Sequence, residues 1–314
     1  MLPLRPALLL LLLAGLRSAH GQADVKLVAE GDSLMELGRA QKASDRYTQA
    51  IALAPKAAYY TARARAWYAL DRMDRMLLDC EAALKLDSLH PGANLLRAQY
   101  AYRSEDHPTT VRRATTALEH GAQGDQRRLA LLLRGQARAE LKDHRAAVED
   151  LREGLGTRTD ELDAMRALAR SLDALGDHAA SLTVLEQLCA VQPEDIGNWT
   201  NRGYELAALG RFDEALTIYG EALALDKDEP TVLSNRAWAL LKLGRQDEAL
   251  SDVERSLKSY PANPYALRTR ALLYVAKGQR EKACADLELA RIIGGVDDVL
   301  QLITEHCAGI APKR

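Results

Sequence analysis

The sequence predicts an all-α chain, built as a solenoid of about eight helix hairpins followed by one capping helix. Apolar residues recur at three- and four-residue spacing, which is typical of helices with one buried face. A helix-ending glycine recurs every 34 residues, at Gly176, Gly210, Gly244 and Gly278. In such an architecture each repeat buries its apolar face on its neighbours, so a chain of 314 residues needs no central core.

The clearest hairpin lies at residues 196–229. Its first helix has Gly203 on the apolar face, and its second helix has Ala215 and Tyr219 there. Gly210 lies between the two helices, where a residue in the left-handed conformation commonly ends a helix. The spacing therefore predicts two antiparallel helices joined by a short turn.

The same pattern divides the chain into eight repeats. They are 24–56, 57–90, 91–124, 128–161, 162–195, 196–229, 230–263 and 264–297. The position of Gly203 is glycine or alanine in all eight, which predicts that the two helices of each repeat approach closely there. After the eighth repeat, Val299, Leu302 and Ile303 indicate one more amphipathic helix, which would cover the apolar face of the last repeat.

Positions 7 and 23 of a repeat are equally distant from its turn and should face each other. Five repeats have opposite charges there: Glu30/Arg46, Arg63/Asp79, Arg134/Asp150, Arg236/Asp252 and Arg270/Asp286. The other three pairs are Arg97/Arg113, Leu168/Val184 and Arg202/Ile218. The five charged pairs predict ion pairs at the seam between the two helices, each contributing no more than about 1 kcal/mol if exposed.

The repeats resemble the tetratricopeptide repeat (TPR) family, whose signature recurs at a 34-residue period as Trp-x2-Leu-Gly-x2-Tyr, then Ala-x3-Phe, then Pro. The resemblance rests on the small residue at the position of Gly203 and the residues aligned with Ala215, and it covers residues 24–297. It implies a right-handed superhelix whose first helices line a concave groove. It also implies a protein that binds peptides in that groove.

The first 21 residues resemble a cleaved signal peptide. Arg5 precedes an apolar run at residues 7–16, and Ala19 and Gly21 are small residues before a cleavage site at Gln22. The alternative is a buried N-terminal helix. Cleavage predicts an exported chain, periplasmic or secreted. The endoplasmic reticulum lumen is less favoured, because no Lys-Asp-Glu-Leu-type tail is present.

The remaining chain is expected to form three parts. Residues 24–124 hold the first three repeats, 128–297 hold repeats four to eight, and 298–314 hold the capping helix and tail. The third repeat lacks the Leu-Gly break, and three extra residues follow it. We therefore expect a joint in the superhelix near 121–127.

The charge of the mature chain argues against some classes of partner. The full chain has 42 basic and 44 acidic residues, a net charge of −2, and loss of Arg5 and Arg17 gives 40 − 44 = −4. Because this charge is mildly acidic, nucleic acid is not an expected partner. The only long apolar run is the ten residues at 7–16, and a membrane helix needs about 20, so no span is expected in the mature chain.

The sequence offers no convincing catalytic, cofactor or metal site. His107, His144 and His178 occupy the same position in consecutive repeats. Adjacent helices lie roughly 10 Å apart, whereas a zinc ion binds each nitrogen at about 2.0–2.1 Å, so packed rings are the simpler interpretation. The motifs of metalloproteases, phosphate-binding loops and serine hydrolases are missing. We expect a non-enzymatic protein without a cofactor.

Cysteine placement predicts one disulfide at most. Cys284 begins the last second helix and Cys307 ends the antiparallel capping helix, so the two should meet. The alternative is that both are reduced thiols. Cys80 and Cys189 fall on buried positions, where a thiol packs as a small apolar group.

Candidate binding residues come from the groove-facing positions of the first helices. They are Arg65, Tyr68, Gln99, Tyr102, Arg103, Gln136, Arg166, Arg170, Tyr204, Trp238, Tyr265 and Arg268. Arginine and aromatic side chains are enriched at binding hot spots, and a guanidinium matches a carboxylate in a two-pronged fork. They predict a protein or peptide partner with an acidic segment. The alternative is that these polar side chains only solvate the inner face.

Relatives that bind chaperone tails use a clamp of lysine, asparagine and arginine at defined groove positions. Across repeats six to eight only Asn235 matches that clamp, so this ligand is not expected. The sequence favours a non-catalytic, exported scaffold that holds a partner protein or an extended peptide. The alternative is a co-chaperone for unfolded chains in a secretory compartment. The oligomeric state is not predicted.

Overall fold

The computed structural model describes residues 22–309, which form seventeen helices and no strand. Helix α1 covers residues 22–36. The others are α2 (Ala40–Leu53), α3 (Ala57–Ala69), α4 (Met73–Leu86), α5 (Pro91–Arg103), α6 (His107–Glu119), α7 (Gly124–Glu140), α8 (His144–Leu155), α9 (Leu162–Ala174), α10 (His178–Val191), α11 (Ile196–Ala208), α12 (Phe212–Leu225), α13 (Pro230–Lys242), α14 (Gln246–Ser259), α15 (Pro264–Ala276), α16 (Arg280–Ile293) and α17 (Val299–His306). The predicted signal peptide at residues 1–21 and the tail at 310–314 lie outside the described residues.

The chain divides into two compact units between Arg158 and Thr159. Unit 1 contains α1–α8 and unit 2 contains α9–α17. Within each unit the two helices of a repeat pack together, and first helices of adjacent repeats are also in contact, as α3 is with α5 and α13 with α15. The all-α class and the hairpin order predicted from the sequence are confirmed.

Each hairpin turns through one residue in the left-handed conformation. Gly210 has φ +75°, and the next amide, that of Arg211, donates a hydrogen bond to the carbonyl of Leu206 at 2.9 Å. This bond satisfies a carbonyl left open at the helix end. The third repeat makes the same turn without glycine, because Glu105 takes φ +57°. The missing Leu-Gly break therefore does not change the geometry of this turn.

The small residues predicted at the helix contact are required by the packing. A Cβ atom at Gly203 would overlap the ring of Tyr219, and one at Gly31 would overlap the ring of Tyr47. Both tyrosines are fully buried, so their rings cannot swing into solvent. The close approach inferred from the repeat alignment is confirmed at these two hairpins.

All five predicted seam ion pairs are present. Their N–O distances are 3.2 Å for Glu30/Arg46, 2.7 Å for Arg63/Asp79, 2.7 Å for Arg134/Asp150, 2.6 Å for Arg236/Asp252 and 2.7 Å for Arg270/Asp286. The four aspartates are almost fully buried. The upper limit of about 1 kcal/mol for the contribution of an exposed ion pair to folding stability therefore applies only to the Glu30/Arg46 pair. In the sixth repeat Arg202 pairs instead with Glu186 of the preceding second helix, at 3.5 Å.

The expected joint near 121–127 does not coincide with the division of the chain. Residues 125–127 form the first turn of α7, which is 17 residues long. Ala122, just before this helix, is buried in a cluster with Ala117 and Ala130. The extra residues therefore lengthen a helix, and the two units are divided one repeat later.

Helix α17 lies against the last repeat, as the sequence predicts for a capping helix. Val299 is buried, and Leu302, Ile303 and Cys307 pack on the core of the eighth repeat. Asp298 precedes the first residue of this helix, and its side chain makes no cap bond. Within residues 22–309, none of the helices combines the length and the apolar character that a membrane crossing requires.

Candidate partner-binding face

All twelve predicted groove residues lie on first helices. Unit 1 contains Arg65 and Tyr68 on α3, Gln99, Tyr102 and Arg103 on α5, and Gln136 on α7. Unit 2 contains Arg166 and Arg170 on α9, Tyr204 on α11, Trp238 on α13, and Tyr265 and Arg268 on α15. First helices touch at α3–α5, α5–α7, α11–α13 and α13–α15, so side chains on these helices can contact those of the next repeat.

In unit 1 the aromatic and amide side chains contact one another. The hydroxyl of Tyr102 donates a hydrogen bond to Oε1 of Gln136 at 2.9 Å, which joins α5 to α7. The Tyr102 ring meets His107 edge-on, with 6.0 Å between centroids. Tyr68 packs against a buried cluster, and Gln99 is half-buried. This part of the face is largely closed by its own contacts.

The two predicted groove arginines of unit 1, Arg65 and Arg103, make long and exposed ion pairs. Arg65 is 3.7 Å from Asp32, and Arg103 is 3.7 Å from Asp71. All four side chains are at least half-exposed. Exposed pairs of this kind contribute little to stability, so an acidic group from outside can compete for the arginines.

In unit 2 Trp238 contacts two cations. The ammonium group of Lys242 is 4.3 Å from the centre of its ring system, and the guanidinium of Arg268 is 3.9 Å from it. Arg268 also donates to both carboxylate oxygens of Asp298, at 2.8–3.1 Å. Cation–π contacts of this kind hold the indole in place. Trp238 and Lys242 are four residues apart on one helix, so their contact could be predicted from the sequence. The contact between Arg268 and Asp298 could not.

Two tyrosines of unit 2 are exposed on the same set of first helices. Tyr204 is 46% exposed and Tyr265 is 52% exposed. The Tyr265 hydroxyl donates to the carbonyl of Gly295 at 2.7 Å, which fixes its ring direction. Partial burial raises the pKa of Tyr204, and nearby Asp173, Glu205 and Tyr265 raise it further. We call Tyr204, Trp238 and Tyr265 the aromatic face.

Arg166 is already occupied by groups of its own unit. It donates to Asp195 at 2.8 Å, to Asp163 at 3.1 Å and to Gln192. Asp195 also caps α11 by accepting from the amide of Asn198. Arg170 is exposed on the same helix. The prediction that Arg166 binds a partner therefore meets internal acceptors that the sequence pattern did not reveal.

A buried carboxylate lies beneath the start of the aromatic face. Glu205 accepts from Ser181 at 2.6 Å, and its other oxygen is 2.8 Å from Nδ1 of His178. The same nitrogen is 3.4 Å from Asp173. Burial raises the pKa of Glu205, while the bonds from Ser181 and His178 oppose that rise.

Asp173, His178 and Glu205 each place one donor atom within 4.8 Å of the others. Imidazole and carboxylate groups are ligands that a divalent ion such as zinc accepts. In the described structure, however, these atoms bond to one another and tie the turn between α9 and α10 to α11. The histidines equivalent in sequence, His107 and His144, do not belong to this group.

The two C-terminal cysteines are joined. Cys284 on α16 and Cys307 after α17 form a disulfide, with 5.7 Å between their Cα atoms. Arg280 supports the same junction by donating to the carbonyl of His306 at 2.8 and 3.1 Å. Cys80 and Cys189 are free and buried. Burial raises their pKa to about 12 and about 11, so both are protonated and unreactive near neutral pH.

Comparison with known proteins gives a family match and several solved structures. Residues 28–91 and 200–264 match the family model described as tetratricopeptide repeat. Curated proteins give no match. Similar structures include a thermophilic TPR protein from Thermus thermophilus, with a TM-score of 0.46 and 21% identity over 59% of this chain and 98% of that one. MamA of MSR-1 has a TM-score of 0.44 and 21% identity, over 53% of this chain and 96% of that one. The TPR domain of P58(IPK) has a TM-score of 0.34 and 16% identity, over 90% of this chain and 96% of that one.

Proposed function

Because this chain is a tetratricopeptide repeat protein, we propose that it is a non-catalytic, exported scaffold that binds an extended segment of a partner protein along its first helices. The observation that carries the proposal is the aromatic face of unit 2. Tyr204, Trp238 and Tyr265 come from three consecutive first helices, α11, α13 and α15. An extended segment meets one repeat after another, so residues presented in sequence along neighbouring helices suit it.

The chemistry of the aromatic face favours a partner over solvent. Tyr204 and Tyr265 expose about half of their surface, and the Tyr265 ring is held by its hydrogen bond to Gly295. Tyrosine and tryptophan offer large apolar area with little loss of side-chain entropy, and they are enriched at binding hot spots. The segment is therefore anchored mainly by apolar contact in unit 2.

Acidic residues in the segment would add a smaller contribution. In unit 1 the long, exposed pairs of Arg65 and Arg103 can exchange Asp32 and Asp71 for a partner carboxylate. In unit 2 Arg166 and Arg268 are held by closer internal acceptors and are less available. We assign any preference for acidic segments to unit 1.

Export is supported by two independent features. Residues 1–21 have the composition of a signal peptide, and disulfides such as Cys284–Cys307 persist in oxidising compartments outside the cytosol. We expect protein recovered from a secreting host to begin at Gln22. Its intact mass should be lower by two hydrogens than that of the fully reduced chain. Recovery in the cytosol with residues 1–21 attached would contradict this.

The binding face can be tested with a phage-displayed peptide library selected on the mature protein. We expect the combined substitution Tyr204→Ala and Tyr265→Ala to weaken the selected peptides about tenfold or more in titration, because each change removes a hot-spot aromatic. The matched control is Tyr260→Ala. Tyr260 is 47% exposed but lies at the end of a second helix, α14. The Tyr260→Ala variant should bind the selected peptides with the affinity of the wild type.

Equal affinity of all three proteins would remove the aromatic face as the binding site. The co-chaperone alternative predicts another outcome. No peptide would be selected, and the wild type and both variants would suppress thermal aggregation of a model client equally well.

A further inference from the structure

One repeat of unit 1 departs from a charge arrangement that four others share. In those four, an aspartate of the second helix accepts two N–H groups from an arginine of the first helix. The pairs are Arg63/Asp79, Arg134/Asp150, Arg236/Asp252 and Arg270/Asp286. The equivalent positions on α5 and α6 are Arg97 and Arg113. The seam of this repeat therefore has two guanidiniums and no acid of its own.

Both arginines are half-buried, and neither forms an ion pair with any acid among residues 22–309. Arg113 donates one bond, from Nη1 to Oδ1 of Asn94 at 3.0 Å. Its Nε atom is buried and has no hydrogen-bond partner in the described structure. Burial lowers the pKa of Arg113, and the charges of Arg97 and Arg112 lower it further. A cation in these conditions is short of an acceptor.

The surroundings do not supply that acceptor. The charges that act on the nearby thiol of Cys80 include both arginines and the carboxylates of Asp79 and Glu81. Asp79 is already bonded by the arginine of its own repeat. Glu81 is not ion-paired with either seam arginine in the part of the chain that the structure describes. Arg112 adds a third positive charge that acts on Arg113.

We propose that the Arg97–Arg113 seam is a second binding site, which takes a carboxylate from an aspartate or glutamate side chain of a protein partner. The scaffold at this position binds a carboxylate in four other repeats, and Arg97 occupies the same helical position as the arginines that do so. A guanidinium fork fits a carboxylate with two parallel hydrogen bonds. Arg113 replaces the internal aspartate, so the acid comes from outside, where both side chains reach solvent.

This site lies within unit 1 and uses none of the twelve groove residues. It therefore stands apart from the aromatic face, and either proposal can fail without the other. A partner that uses both would combine apolar anchoring in unit 2 with a salt-sensitive contact at this seam. Surface charges contribute less as salt rises, and the contact at the seam should weaken accordingly.

Arg113→Asp is the decisive variant, because it recreates the arginine–aspartate pair of the four other repeats. It should close the site with an internal carboxylate and leave the fold intact. Arg112→Asp is its matched control, since it makes the same change in charge at the adjacent, exposed position. Arg97→Gln is a further variant that removes the guanidinium fork without adding an acid.

The probe is N-acetyl-tetraglutamate amide, titrated at constant ionic strength while the arginine Nε–Hε signals are followed by NMR. We expect saturable shifts of the Arg97 and Arg113 signals in the wild type and in Tyr204→Ala/Tyr265→Ala. We expect binding about tenfold weaker or more in Arg113→Asp and Arg97→Gln, since each tenfold corresponds to about 1.4 kcal/mol. Arg112→Asp should retain the saturable shifts, with a smaller loss.

Three results would overturn the proposal. One is the absence of saturable shifts in the wild type. Another is wild-type affinity in folded Arg113→Asp and Arg97→Gln. The third is saturation by inorganic phosphate at lower concentration than the peptide, because that would make the seam a site for a free oxyanion.

Discussion

Asp150→Ala is expected to lower the free energy of unfolding of unit 1 by about 3–5 kcal/mol, the range for breaking a buried ion pair from one side. The Asp150 side chain is only 5% exposed. It accepts from Nε and Nη2 of Arg134 at 2.8 and 2.7 Å, and from Nη1 of Arg138 at 2.7 Å. Its removal leaves two guanidiniums in a partly buried seam without their carboxylate, and Arg134 then keeps only its bond from Nη1 to Oγ1 of Thr115 at 3.2 Å. The measurement is urea denaturation followed by circular dichroism, comparing the midpoint and the slope.

The matched control is Glu153→Ala, three residues later on the same helix. Glu153 also bonds an arginine, Arg127, at 2.6 and 3.0 Å, but both side chains are about half-exposed. Loss of such a surface pair should lower stability by less than about 1 kcal/mol. Similar losses in the two variants would show that burial does not decide the contribution of these ion pairs.

Cys307→Ser is expected to destabilise unit 2 by about 2–4 kcal/mol, which is typical for the loss of a native disulfide. The bond closes a loop with a sequence separation of 23 and holds α17 on the last repeat. Helix α17 has only 8 residues, and so short a helix is not stable in water without its tertiary contacts. Its release exposes Val299 and the apolar side of the eighth repeat.

The measurement is thermal unfolding with and without a reductant. The wild type should lose stability on reduction and approach Cys307→Ser, which should not respond to the reductant. Cys189→Ala provides the control, because its thiol is buried and free. It should remain as sensitive to reduction as the wild type. If the thermal unfolding of the wild type did not change with the reductant, the disulfide would have no stabilising role.

The hairpins and their turns follow almost entirely from local sequence. Each helix is stabilised by hydrogen bonds four residues apart, so an apolar stripe and a helix-ending residue predict its position. Where the expected glycine is missing, Glu105 adopts the same turn, because the bonds that close it come from the backbone. The close contact at Gly203 was likewise visible from the repeat alignment.

The candidate site was only partly predictable. The repeat register placed Arg166, Trp238 and Arg268 correctly on first helices. It did not show that the two arginines are bonded to Asp195 and Asp298, each about one repeat further along the chain. Such contacts depend on the side-chain directions of two neighbouring repeats, and sequence spacing within one repeat does not specify them.

By itself, the sequence determined the repeat length, the helix order and the charge complementarity of the seams. Only the tertiary structure decided which of those charges are buried, which groove arginines are already neutralised, and that Arg113 has no acid beside it. The physical reason is the range of the interactions. Backbone bonds within a helix are local and follow from a periodic pattern, whereas burial and charge pairing depend on the atoms that a neighbouring repeat brings against each side chain.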